Sequence, residues 1–142
     1  MLRGLATVSL FADDLDAAVA WYTELLGVEP YFQRPETGPA AYVEFRVGDY
    51  EHELGIIDSR YAPHKNTEPT GTVMFWHVDD IDMAIDRLLQ LGATIHEPRT
   101  VRGEGFVTAS VVDPFGNILG VMYNPHYLTI LGKTPNVSLN IM

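Results

Sequence analysis

Apolar residues along this chain recur every second position in some stretches and every third or fourth in others, and the same succession of stretches occurs twice. TVSLFADDLDAA (Thr7 to Ala18) lies over VMFWHVDDIDMA (Val73 to Ala84) at an offset of 66 residues: an apolar run, two aspartates, an aliphatic residue, a third aspartate, then a helix-forming segment. ELLGVEPYF (Glu24 to Phe32) parallels QLGATIHEP (Gln90 to Pro98) with one residue dropped. HELGII (His52 to Ile57) accordingly overlies NILGVM (Asn117 to Met122) at an offset of 65. The runs rich in Val, Phe and Thr predict strands. Asp13, Asp14 and Asp16, and again Asp79, Asp80 and Asp82, supply an N-cap and negative charge to the positive end of a helix. Apolar stripes then follow at Leu15, Ala18, Val19, Tyr22, Leu25 and Leu26 and at Ile81, Ile85, Leu88 and Leu89, stopping at Gly27 and Gly92. Three strand-like runs complete each half, near Glu29 to Arg34, Ala41 to Val47 and His52 to Asp58, and near Thr94 to Glu97, Phe106 to Val112 and Ile118 to Tyr123.

The pattern predicts an α+β domain over residues 1–142: a βαβββ module at 5–58, a linker at 59–71, a second module at 72–125 and a tail at 126–142. Pro, Asn, Thr and Gly mark SRYAPHKNTEPTG as the connection. The tail is weakly patterned, and its VSLNIM end reads either as an extra strand or as a dimer contact. With 46% hydrophobic and 20% charged residues in 142, the composition is that of one globular domain. No apolar run is long enough for a membrane span or signal segment, so the expected location is the cytoplasm. The lack of cysteine removes disulfides and thiolate chemistry, leaving His, Asp or Glu for any metal. A net charge of −10 argues against nucleic acid and is compatible with a cationic ligand or plain solubility.

The tandem units, with "DDLDAAVAWYTELLGV" entering the first helix and "DPFGNILGVMY" closing the last strand, resemble the vicinal oxygen chelate superfamily, the group of glyoxalase I, bleomycin-resistance proteins and extradiol dioxygenases. The resemblance covers roughly residues 5 to 125. It implies two modules forming a cup-shaped, curved mixed sheet with helices outside, and a homodimer whose modules pair within one chain or between chains. In metal-dependent members, one ligand sits on the first and one on the last strand of each unit. The corresponding positions here are Thr7, Gly55, Val73 and Gly120, none of them a His, Gln or Glu. No cofactor is expected, and a divalent metal only if its ligands are relocated. The two glycines fit close packing or a bulge, or equally a space cleared for a ligand.

Strand parity collects the rest of the face. Ser9 and Phe11 go with Thr7, Phe75 and His77 with Val73, Glu53 and Ile57 with Gly55, and Ile118 and Met122 with Gly120. These twelve positions are the candidate ligand-binding residues. His77 and Glu53 are the catalytic candidates, as an acid–base pair or half of a displaced metal site; the bland reading is a strand-end histidine with a local hydrogen bond and a solvated glutamate. His52 falls on the opposite face, His64 lies in the linker and His126 just past the last strand. Tyr22 and Trp76 read as packing residues, Tyr42, Tyr50 and Phe115 as a rim, and Asp113 as turn chemistry without a catalytic part. Three functions are open: a metal-independent binder of a small organic molecule, cationic or aromatic; a glyoxalase-type lyase or isomerase; and an oligomeric subunit contacting others through Leu128 to Met142.

Overall fold

A computed structural model of the chain describes residues 1–63 and 68–133. His64 and the VSLNIM segment lie outside the described residues. The chain divides into two compact units, Met1–Thr67 and Glu68–Met142. In the first, β1 (Thr7–Ala12) leads into α1 (Leu15–Leu26), followed by β2 (Phe32–Arg34), β3 (Tyr42–Val47) and β4 (His52–Asp58); a short 3₁₀ turn covers Ser59–Tyr61. In the second, β5 (Met74–His77), α2 (Ile81–Gln90), β6 (Thr94–Gly103), β7 (Phe106–Val112) and β8 (Ile118–Tyr123) repeat the order, and α3 (Pro125–Lys133) is added. Each unit is a four-stranded mixed sheet, β1-β4-β3-β2 and β5-β8-β7-β6. The first and last strands of each run parallel and the other pairs antiparallel. The α+β reading with two βαβββ modules is what the structure shows.

Of each acidic triplet, one member caps. The Asp14 carboxylate accepts from Ala17 N–H and that of Asp80 from Met83 N–H, both at 3.0 Å. Gly27, at φ 70°, closes α1 with its N–H on the Thr23 carbonyl. In the second unit the helix ends one turn position earlier, at Gln90, and Gly92 takes the left-handed conformation at φ 98°. The buried stripe of α1 is Leu15, Ala18 and Tyr22, packed against Leu10, Ala12, Val43, Phe45, Leu54 and Ile56. Ile81, Leu88 and Ala93 meet Ala109, Val111, Leu119 and Val121 in the second. Leu89, assigned above to the stripe, is 40% exposed. These packed residues lie on one face of each sheet, and the alternate residues form a second face.

Four boundaries differ from the sequence pattern. β2 is confined to three residues between Pro30 and Pro35, neither of which can donate to a ladder. β5 starts at Met74, so Val73 is outside the ladder. β6 runs on through Pro98 to Gly103 because it is an edge strand, where a missing donor costs nothing. The tail begins with a helix: Asn124 Oδ1 accepts from the N–H groups of His126 and Tyr127 at 2.9 and 3.3 Å, and Pro125 presets the first turn. The linker is entered through Asp58, gripped by Arg60 Nε and Nη2 at 3.2 and 3.0 Å, and these hydrogen bonds hold its carboxyl below the usual carboxylate range.

The two caps are equivalent in geometry, so Asp14→Ala and Asp80→Ala are each expected to cost about 1 kcal/mol in urea denaturation. A loss confined to one of the two would mean that the repeat does not extend to helix initiation.

Candidate functional site

On the second face of the first sheet the ladder register sets three rows. Phe11, Ile57 and Tyr42 align, then Ser9, Gly55, Glu44 and Phe32, then Thr7, Glu53 and Arg46. Gly55 matters because Tyr42 lies across it: a Cβ there would stand 2.5 Å from the ring. The Tyr42 hydroxyl donates to Glu44. Phe32 meets Tyr42 edge-on at 6.3 Å between centroids, and the guanidinium of Arg34 sits 5.2 Å from the Phe32 ring centre. Arg46 pairs with Glu53 at 3.1 Å and reaches the Tyr31 ring at 4.8 Å. Burial pushes the Glu44 carboxyl above its ordinary value, the neighbouring Glu53 adds to this and Arg46 opposes it. A shallow pocket of about 240 Å³ adjoins the edge strand, lined by Pro30, Tyr31, Phe32, Gln33 and Glu36.

The second sheet repeats the theme with different parts. Phe75 pairs with Gly120 and Gly120 with Ser110; His77 pairs with Met122 and Met122 with Thr108. The Phe75 ring covers Gly120, where a Cβ would meet the ring at 2.6 Å and the Met74 carbonyl oxygen at 2.8 Å. Close packing is therefore the use both glycines serve, and the packing partner is aromatic in each case. Ile118 shares this face by parity.

His77 sits at the strand end with a side chain only 8% exposed. Its Nδ1 accepts from the Asn124 N–H at 3.1 Å, which puts the proton of the neutral ring on Nε2, 3.3 Å from Asp79 Oδ1. Tyr127 stacks on it at 4.7 Å with an 11° interplanar angle. Tyr123 lies 5.4 Å away between ring centroids, and these neighbours, Asn124, Asp79, Tyr123 and Tyr127, all belong to its own unit. Glu53 is held by Arg46 within the other unit.

The structure brings Thr7, Ser9, Phe11, Glu53, Gly55 and Ile57 onto one face of the first unit and Phe75, His77, Ile118, Gly120 and Met122 onto one face of the second. Val73 joins neither ladder. His52 is exposed near Tyr50, and His126 meets the edge of Phe106 at 5.1 Å. Buried Asp113 accepts from Phe115 N–H, Asn117 N–H and Asn117 Nδ2, all within 2.9 Å, as a turn-forming residue does. Sequence reasoning missed Glu44, Arg46, Thr108 and Ser110, whose signal was present in the alternation of β3 and β7. It missed His96 and Arg102 for want of any regular signal, because β6 is bulged.

The four positions implied for a metal do not fit one. Thr7 offers a neutral hydroxyl, Val73 and the glycines offer nothing, and rings fill the space a carboxylate would need at 55 and 120. Among the described residues no three or more His, Asp or Glu side chains are gathered as a ligand set.

Gly120→Ala is expected to cost about 1–3 kcal/mol, because a backbone oxygen blocks the added methyl; Gly55→Ala should cost less, since the tip of Tyr42 can swing away. Equal penalties would contradict the packing described. Glu44 gives a pH signature. A carboxyl raised in the folded state leaves stability intact below its unfolded value and erodes it as pH rises through the folded one. Glu44→Gln should therefore raise Tm above that window and leave it unchanged at more acid pH; a variant less stable at neutral pH would reverse the assignment.

The description "Glyoxalase/Bleomycin resistance protein/Dioxygenase superfamily" matches residues 4–121. No protein of curated function matches the chain. Among solved structures, a lactoylglutathione lyase from Agrobacterium tumefaciens is 23% identical, with 89% of this chain and 98% of that one aligned at a TM-score of 0.64. A glyoxalase-related enzyme from Fulvimarina pelagi is 20% identical over 87% of this chain and 90% of its own, at 0.67. The fosfomycin resistance protein FosX from Listeria monocytogenes is 16% identical over 87% and 95%, also at 0.67. At these identities the likeness is one of fold, and together with the match over most of the chain it extends the repeat, the strand orders and the glycine positions into one conclusion: the chain belongs to the glyoxalase/bleomycin resistance protein/dioxygenase superfamily.

Proposed function

We propose that this protein binds a small organic molecule against the second faces of its sheets without the help of a metal, as a homodimer in the cytoplasm. The observation that carries the reading is the aromatic ring lying over a glycine at both Gly55 and Gly120, where metal-dependent members of the family place a donor. The second face of the first unit carries Phe11, Ile57, Tyr42 and Phe32, and that of the second unit carries Phe75 and Met122; each offers apolar and aromatic surface with a few polar groups, the usual makeup of a small-molecule site. On the first unit Glu44 beside Tyr42 and Phe32 suits a cationic group; Arg34 over Phe32 is a cation already on that ring. Two similar structures carry names that refer to small molecules, a lactoylglutathione lyase and a fosfomycin resistance protein.

The lyase or isomerase reading has less support. A general base needs a lone pair, and the Nδ1 lone pair of His77 is taken up by the Asn124 N–H, while Glu53 is neutralised by Arg46. Catalysis through this pair requires both to give up their partners.

A thermal-shift screen of cationic and aromatic small molecules, run once in EDTA and once with added divalent ions, tests the proposal. A ligand at about a hundredfold over its Kd should add about 2.7 kcal/mol of stability. The same stabilisation is expected in both conditions. Stabilisation that requires the metal would overturn the metal-free reading.

A further inference from the structure

β6 is an edge strand whose pairing with β7 slips in three places: between Ile95 and Glu97, between Glu97 and Thr100, and between Val101 and Gly103. Bulges of this kind re-aim side chains that strict alternation would send elsewhere. Here they deliver two basic groups to two hydroxyls. His96 Nδ1 lies 3.0 Å from Ser110 Oγ, and Arg102 Nε donates to Thr108 Oγ1 at 3.1 Å. Thr108 and Ser110 are two residues apart on β7, so their side chains share a face at a spacing of about 6–7 Å. That face is the one holding Met122 and Gly120, their ladder partners. Ser110 is buried at 3% exposure, whereas His96 and Arg102 are exposed. One strand beyond Gly120, Phe75 remains 43% exposed.

A chain with 9 Lys and Arg against 19 Asp and Glu has few cations to place, and here an arginine, with an imidazole near it, stands on neighbouring hydroxyls of β7, two strands across the same face from an exposed phenylalanine on β5. Arg102 Nη2 also holds Glu97 Oε2 at 3.2 Å. A guanidinium presents a planar fork that matches a carboxylate, and Glu97 shows it already holding one.

We propose that this face of the second unit receives the carboxylate of an aromatic acid, with the ligand ring against Phe75 and its carboxylate drawn to Arg102 and the His96–Ser110 pair, in competition with Glu97. This goes beyond the metal-free reading by naming a ligand class, and it rests on that reading only in taking the ligand to be a small organic molecule. Phe75 supplies apolar contact whatever the ligand charge, while the β6 groups discriminate for the anion.

Three probes sharing one ring system separate the terms: 1-naphthoate, the neutral 1-naphthamide and the cationic 1-naphthylmethylamine, titrated by the amide chemical shifts of β6, β7 and β8, so that only binding at this face of the second unit is read. Naphthoate is expected to bind about tenfold or more tightly than naphthamide, the discrimination one charge-assisted pair provides. Arg102→Gln should erase most of that ratio, and Phe75→Leu should weaken both probes alike. Ser110 is buried, so its replacement risks the sheet itself. Glu97→Gln, on the exposed edge strand, avoids that risk and should tighten naphthoate while leaving naphthamide unchanged. Equal binding of acid and amide, preference for the amine, or a ratio indifferent to both Arg102→Gln and Glu97→Gln would overturn the proposal. If none of the three probes binds, this inference falls, while the broader reading is still decided by its own screen in EDTA.

Discussion

A Cβ at residue 55 would stand 2.5 Å from the Tyr42 ring, and one at residue 120 would stand 2.6 Å from the Phe75 ring. Real Cβ atoms do not approach other atoms so closely, so each ring position requires its glycine, and neither ring could lie there beside a longer side chain. The chemistry of both second faces follows from this. A carboxylate projecting from the last strand would make a hard, anionic point on the sheet, suited to a cation of high charge density. A ring lying flat on the strand makes a smooth apolar surface and leaves the polar work to the neighbouring positions, Glu44 in one unit and Ser110 in the other.

Those two positions are equivalent in the repeat, each paired with its glycine, and they have diverged. Glu44 is kept as a partly desolvated carboxyl at a cost in stability, fixed by the Tyr42 hydroxyl. Ser110 is uncharged and draws its basic partner from the edge strand. The rings also come from different places: Tyr42 reaches Gly55 from the diagonal position on β3, whereas Phe75 is the direct ladder partner of Gly120. The two units share a backbone plan, with capped helices and a parallel pairing of first and last strands, while their second faces differ in charge.

Much of this was legible in the sequence. The 66- and 65-residue offsets aligned both helix caps and both glycines, and a period of two grouped Thr7, Ser9 and Phe11 with Glu53, Gly55 and Ile57, because regular strands obey it. Where the backbone is irregular the pattern fails. Three register shifts and a proline hid the length of β6, and with it His96 and Arg102. The partner of Glu53 is Arg46, seven residues away through a hairpin, and it becomes visible only once the register of β3 is known. The α3 helix has no buried stripe to announce it and attaches through ring contacts of His126 and Tyr127.

Rings lie over Gly55 and Gly120, and metal stoichiometry tests most directly the metal-free binding proposed from them. Protein purified without chelators or an affinity tag would be assayed for Zn, Ni, Mn, Fe and Co against protein concentration. The account predicts far less than one equivalent of any of them. A metal near one per chain, or one per dimer, would contradict it and require a ligand set drawn from residues other than Thr7, Gly55, Val73 and Gly120.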